Sequence, residues 1–266
     1  MIKVVFLTFF FTGCSNFPPK ADIKIGSTAE FQVDVSYYAA QAPVQKTILI
    51  MPPTGGTNYL DTSYAEALQA NGFDVYILNH WTGDNEWNIE LGIHQRLYTR
   101  AQRAITEVIN HVNTPEIGML GTSVGGLHAS VAASNQPRLN SVFVITAGVS
   151  IPEVIVTSDQ KAMTDAKSQR YLKYGFTNDE VYQKALSKEF LLDPTELQPL
   201  YKTKKLGMVI GLKDKTVSTK SQNQLLVLWK PTTVISFNND HFWSIVKSWL
   251  FKESEIIEFF QKTATL

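Results

Sequence analysis

The sequence predicts an α/β protein built on one mostly parallel sheet flanked by helices. Three observations carry that reading. Continuous apolar runs at 47–51, 73–78, 117–120, 142–145 and 206–211 are bounded by turn residues, as strands covered on both faces are. Helical patterns alternate with these runs, which implies a parallel sheet. Ser123, Asp214 and His241 each fall just after an apolar run, at the carboxyl strand ends where ligands bind in such sheets.

At 266 residues and 44% apolar content the chain suits one large globular domain. Lysine plus arginine and aspartate plus glutamate both number 24, so there is no basic excess and nucleic acid is not expected as a partner. No repeat of solenoid period and no low-complexity tract is present.

Residues 1–13 read as a signal peptide. Lys3 supplies a short positive start and residues 4–11 an apolar stretch too short to span a bilayer. Cys14 is the sole cysteine, which excludes an intramolecular disulfide. Residues 14–29 form a tether, with Pro18 and Pro19, and an N-terminal edge. The domain proper is expected over 30–266.

Phe31, Val33, Val35 and Tyr37 alternate with polar residues, the pattern of a half-buried antiparallel strand, and 23–25 is its candidate hairpin partner. The run at 47–51 ends in Pro52-Pro53-Thr54-Gly55-Gly56. Asp61 is read as the cap of a helix that buries Ala65 and Leu68 and stops at Asn71-Gly72. A strand at 73–78 leads to the polar, aromatic stretch 80–84. Apolar residues from Ile93 to Val112 recur every three or four positions, which predicts a long amphipathic helix.

From about 150 to 203 the alternation breaks, and a mostly helical insertion is expected. Thr177 to Glu180 reads as a capping box, and Asp193-Pro194 as an N-cap followed by a first-turn proline. The strand at 206–211 delivers Asp214. A helix containing Leu225 and Trp229 and a strand at 233–237 follow, the latter delivering His241. The tail, 242–260, is amphipathic and helical.

Gly121-Thr122-Ser123-Val124-Gly125 reads G-x-S-x-G between a strand and a small-residue segment. The pattern demands a tight turn that lifts the serine hydroxyl above the sheet edge. With Asp214 and His241 downstream in the order Ser…Asp…His, the chain from about 30 to 262 resembles the α/β-hydrolase superfamily. That resemblance implies a serine hydrolase, a carboxylesterase first and a lipase, thioesterase or peptidase otherwise, acting on a small-molecule ester or acyl substrate through an acyl-serine intermediate. Ser123 would attack, His241 would move the proton, and Asp214 would orient His241. His80 is the rival base; His128 reads as a satisfied packing residue, and His94 and His111 as surface residues. Glu153 is the alternative acid, and Asp240 is poorly placed to orient its own neighbour. The oxyanion hole would use the Val124 N–H with that of Thr54, or of Gly55 instead. No cofactor and no metal site is expected.

Phe11-Thr12-Gly13-Cys14 resembles a bacterial lipobox. This implies lipidation of Cys14 and anchoring to a cell-envelope membrane, the outer membrane given Ser15; a secreted or periplasmic protein is the alternative. The competing functional class is a non-catalytic envelope lipoprotein that binds a ligand in the cleft of a hydrolase scaffold.

Overall fold

The structure, a computed structural model, describes residues 20–41, 45–197 and 200–262. The signal segment 1–13 and Cys14 lie outside the described residues. Eight strands form one sheet: β1 (Ala21–Thr28), β2 (Phe31–Tyr38), β3 (Lys46–Met51), β4 (Asp74–Trp81), β5 (Glu116–Thr122), β6 (Leu139–Ile145), β7 (Lys205–Gly211) and β8 (Thr233–Phe237). Their order is β1-β2-β4-β3-β5-β6-β7-β8. The hairpin β1–β2 and the β2–β4 pair are antiparallel, and every pairing from β4 to β8 is parallel.

The parallel strands are apolar on both faces because helices cover both. On one face, α1 (Tyr59–Ala70) and α8 (His241–Gln261) bury Tyr64, Leu68, Ile256 and Phe260 against Ile48, Ile50 and Ile77. On the other, α2 (Ile93–His111) and α3 (Val124–Asn135) pack Ala101, Ile105, Leu127 and Val131 against Leu49, Met119 and Val144. Leu225 and Trp229 of α7 (Thr219–Trp229) join that second core.

Between β6 and β7 come α4 (Ile151–Thr157), α5 (Lys161–Tyr174), α6 (Asp179–Glu189) and a short 3-10 turn, Leu200–Thr203. This is the expected helical insertion. Arg170 fastens it to the body of the domain. That side chain is fully buried, and it donates to the carbonyls of Ile89 and Glu90, to His94 Nε2 (3.0 Å) and to the Tyr182 hydroxyl (2.7 Å).

Four local expectations need correction. Asn58, not Asp61, caps α1; Asp61 is the third helical residue and returns the bond to the Asn58 N–H, closing a capping box one turn earlier than read. Asn178, not Thr177, caps α6 by accepting from the Val181 N–H. Asp193 opens a turn rather than a helix: one carboxylate oxygen accepts from Thr195 and the other from the Ile151 N–H at the start of α4. His94 is buried rather than on the surface, because it faces Arg170. His111 is exposed as expected.

Candidate active site

The site lies at the carboxyl ends of β3, β5, β7 and β8. Ser123 sits between β5 and α3 with φ 55° and ψ −120°, a conformation that costs a non-glycine residue on the order of 1–3 kcal/mol. The surroundings enforce it. The Ser123 N–H donates to the Ile145 carbonyl of the neighbouring strand (2.9 Å), and its own carbonyl accepts from Leu127 N–H inside α3. Both glycines of the motif are sterically required. A Cβ on Gly121 would lie 2.4 Å from the Gly125 carbonyl oxygen, and one on Gly125 would lie 2.0 Å from that of Met51.

His241 is the first residue of α8, whose cap is Asp240: the Asp240 carboxylate accepts from the Trp243 N–H (2.9 Å). That placement occupies Asp240 and turns His241 toward Ser123. His241 Nε2 lies 2.8 Å from Ser123 Oγ, and Nδ1 lies 2.7 Å from Asp214 Oδ2. The three side chains form one continuous relay.

Asp214 is only 4% exposed, although Lys213 and Lys215 on either side of it are turned outward. Its Oδ1 accepts from the N–H groups of Thr216 (2.9 Å) and Val217 (3.0 Å). Its Oδ2 accepts from His241 and from Gln222 Nε2 (2.8 Å). Gln222 is itself fully buried. It donates a second time to the Val217 carbonyl and accepts from the Gly211 N–H, which ties the acid to the end of β7. Nothing in the sequence pattern marks Gln222; its role depends on α7 folding back over the loop that carries Asp214.

The rivals are occupied elsewhere. His80, near the end of β4, faces Asp84 (3.2 Å) at the cleft. Glu153 pairs with Lys220 (2.7 Å). Among the described residues no group of three or more His, Cys, Asp or Glu is placed to hold a metal ion.

Val124 opens α3, and the first N–H groups of a helix have no intrahelical acceptor. Across the cleft, Pro52 and Pro53 carry no N–H at all. The Gly56 N–H is used by the Pro53 carbonyl (3.1 Å) in a turn whose third residue, Gly55, has φ 98°. The N–H groups of Thr54 and Gly55 are what that loop offers beside Ser123. Thr54, Gly55, Ser123 and Val124 all line one cleft of about 610 Å³.

The walls of that cleft are mostly apolar and aromatic, from Leu78, Trp81, Leu97, Tyr98, Leu127, Val154, Ile155 and Met163. The insertion therefore forms one wall of it. His128 lines it too, and its expected role as a satisfied packing residue does not hold. It is buried between Trp81 and Tyr98, but its Nδ1 has no hydrogen-bond partner among the described residues. Burial pushes its pKa down to about 3, so the ring is neutral near pH 7.

No protein-family model matches the sequence, and no curated protein matches it. Solved structures do. An esterase of Pyrococcus furiosus, Pf2001, is 13% identical, with 93% of each chain covered and a TM-score of 0.61. DcsB, solved in complex with its substrate analogue, is 15% identical over 93% of this chain and 100% of its own, with a TM-score of 0.64. An acylaminoacyl peptidase of Pyrococcus horikoshii is 14% identical with a TM-score of 0.69; the match takes in 95% of this chain but 43% of the peptidase. The sheet order, the serine turn and these neighbours agree.

The fold is that of the α/β-hydrolases. At such identities the likeness concerns the fold alone, and an α/β-hydrolase fold hosts many chemistries.

Proposed function

We propose that the protein is a serine hydrolase that cleaves an ester-type acyl bond through an acyl-serine intermediate. The observation that carries this is the unbroken relay from Ser123 through His241 to Asp214, opening onto an apolar cleft. A serine hydroxyl is a weak nucleophile near neutral pH and needs a base. His241 Nε2 takes the Ser123 proton as Oγ bonds to the acyl carbon. The same proton passes to the leaving oxygen as the carbon–oxygen bond breaks. Water then repeats the sequence: it gives a proton to His241, attacks the acyl carbon and releases Ser123 with its proton restored.

Asp214, held by four donors, fixes the imidazole tautomer and stabilises the imidazolium formed in each half-reaction. The Val124 N–H and that of Thr54 or Gly55 stabilise the oxyanion. The low polarity of the cleft walls favours a carboxylic ester with an apolar portion. The neighbours include esterases, a peptidase and a thioesterase domain, so the same machinery on this chain would serve thioesters or activated amides as well.

An ester panel tests the reading. The native chain is expected to hydrolyse short to medium esters with a burst of released alcohol, and Ser123→Ala to lose turnover while still binding them. Equal turnover in both would remove Ser123 from the chemistry.

We further propose, from the sequence, that Cys14 carries lipid and tethers the enzyme to a bacterial envelope membrane. Cys14→Ser should move the processed protein from the membrane to the soluble fraction. Full membrane retention of that variant would rule the anchor out.

A further inference from the structure

The loop after β3 lines the cleft beside Ser123, and little in its own sequence holds it still. Thr54 and Gly55 are exposed, and Gly55 and Gly56 carry φ of 98° and 86°. A Cβ on either glycine would meet nothing within 4 Å, so packing does not confine the turn. Glycine itself leaves a chain many conformations. Among the described residues, one side chain between 52 and 57 is hydrogen-bonded: the Thr57 hydroxyl donates to Asn79 Oδ1 (2.6 Å).

Asn79 is held from behind. It lies near the carboxyl end of β4, where the pairing with β2 shifts. Val35 pairs with Leu78 and Asp34 with His80, which leaves Asn79 as the extra residue of a bulge. Bulges re-aim side chains and recur beside active sites. The Asn79 amide nitrogen donates to Ser36 Oγ (2.8 Å), and the Ser36 hydroxyl donates to Asp22 Oδ1 (2.8 Å). The single Ser36 proton is thus committed to a carboxylate, and Ser36 accepts from Asn79. That fixes the amide, with its NH2 toward Ser36 and its oxygen toward Thr57. The four groups form one directed chain from the N-terminal hairpin to the loop, and each bond in such a chain polarises the next.

We propose that Asn79 and Thr57 are positioning residues of the oxyanion hole. Their bond holds the loop so that the N–H of Thr54 or Gly55 points at the oxyanion formed when Ser123 attacks. This rests on the serine-hydrolase reading and names what preorganises one half of its oxyanion site. A donor stabilises that charge well only if it is in place before the charge develops. Neither side chain touches the reacting atoms. Their bond therefore matters to the tetrahedral state and not to binding of the ester.

Thr57 does not line the cleft, so it carries the main test. Thr57→Val keeps the shape and deletes the hydroxyl; Thr57→Ser restores it. Two constants are read: kcat/KM for p-nitrophenyl butyrate and the inhibition constant of 1,1,1-trifluorooctan-2-one. Ser123 Oγ adds to the carbonyl carbon of that ketone, its proton passes to His241, and the ketone oxygen becomes the oxyanion. Loss of an oxyanion donor costs about 10²–10³ in kcat, and a displaced donor costs less, so Thr57→Val is expected to lower kcat/KM about tenfold or more. The ketone should weaken by a similar factor. Affinity for the ester, read in a Ser123→Ala background, should not change. Asn79→Ala should give similar losses, and the double variant no more than either alone, because one bond is lost once. Thr57→Ser should return both constants to native values. Thermal melts identify the folded chains, and if Thr57→Val does not fold, Asn79→Ala decides by the same readouts.

A merely structural Thr57 would lower the melting temperature and leave both constants of the folded chain unchanged. That result overturns the proposal. So does a Thr57→Ser chain no better than Thr57→Val, or losses that multiply in the double variant. A native chain that hydrolyses no ester and binds no ketone sinks the hydrolase reading itself, a failure visible before any substitution is made.

Discussion

The two ends of the cleft hold histidines in opposite states. At the sheet end both nitrogens of His241 are engaged, by Ser123 and by Asp214, and the three remaining donors to the acid come from the loop after β7 and from α7. At the inner end His128 is equally enclosed and its Nδ1 has no polar partner among the described residues, beside Trp81, whose Nε1 has none either. The first end is preorganised: its polar groups satisfy one another before any ligand arrives, so little reorganisation remains for the reaction. The second has no such set of internal partners: His128 Nδ1 and Trp81 Nε1 are enclosed by packing alone among the described residues.

The largest effect is expected from breaking the first end. Asp214→Asn should leave the fold intact and lower turnover on the order of 10⁴-fold, because the amide can hold the wrong imidazole tautomer. Steady-state kinetics beside a thermal melt checks this. Loss of activity in Glu153→Gln instead, with Asp214→Asn unaffected, would move the acid to α4.

A smaller loss should follow from Gln222→Leu. Gln222 is a positioning residue. Its removal leaves Asp214 Oδ2 one donor short and the Gly211 N–H without its acceptor. The expectation is a fall in kcat of about tenfold or more with KM little changed, since one lost charge-assisted bond is worth about 1.5–3 kcal/mol. A merely structural glutamine would lower the melting temperature and leave kcat of the folded fraction as it was.

The inner end can be read through acid stability. Burial holds His128 at about 3, and burial followed by the Arg170 charge holds His94 at about 3, against 6.5 for an open imidazole. Both folded values lie below the unfolded one, so the unfolded chain binds more protons over this range. The stability contributed is present above pH 6.5 and is lost as pH falls from 6.5 toward 3, at about 1.4 kcal/mol per pH unit for each histidine. Urea melts between pH 7 and pH 4 should show this slope, and His128→Leu should make it shallower by about one proton. An unchanged slope in that variant would mean that His128 titrates freely, and the contrast between the two ends would collapse.

The sheet was legible because continuous apolar runs bounded by Gly, Pro and Asn have few other uses in a chain of this composition. Ser123, Asp214 and His241 were legible because each closes such a run and because the serine turn demands glycines at fixed offsets. What was not legible depends on partners distant in sequence. His94 is buried because Arg170, 76 residues on, reaches it. Gln222 sits in a helix whose polar residues resemble a solvated face until α7 folds over Asp214. His128 sits in a small-residue helix and reads as packing; only its Nδ1, unpartnered among the described residues, distinguishes it. The caps of α1 and α6 slipped because Asn, Asp and Thr compete for the same role over neighbouring positions, and the backbone geometry, not the residue type, decides among them.

In the proposed reaction Ser123 is the activated nucleophile of this relay. Intact-mass measurement after exposure to a fluorophosphonate tests it directly. The native protein should gain one adduct, located by peptide mapping at Ser123, and Ser123→Ala should gain none. An adduct that persists in Ser123→Ala, or a native chain that takes no label while folded, would contradict the account.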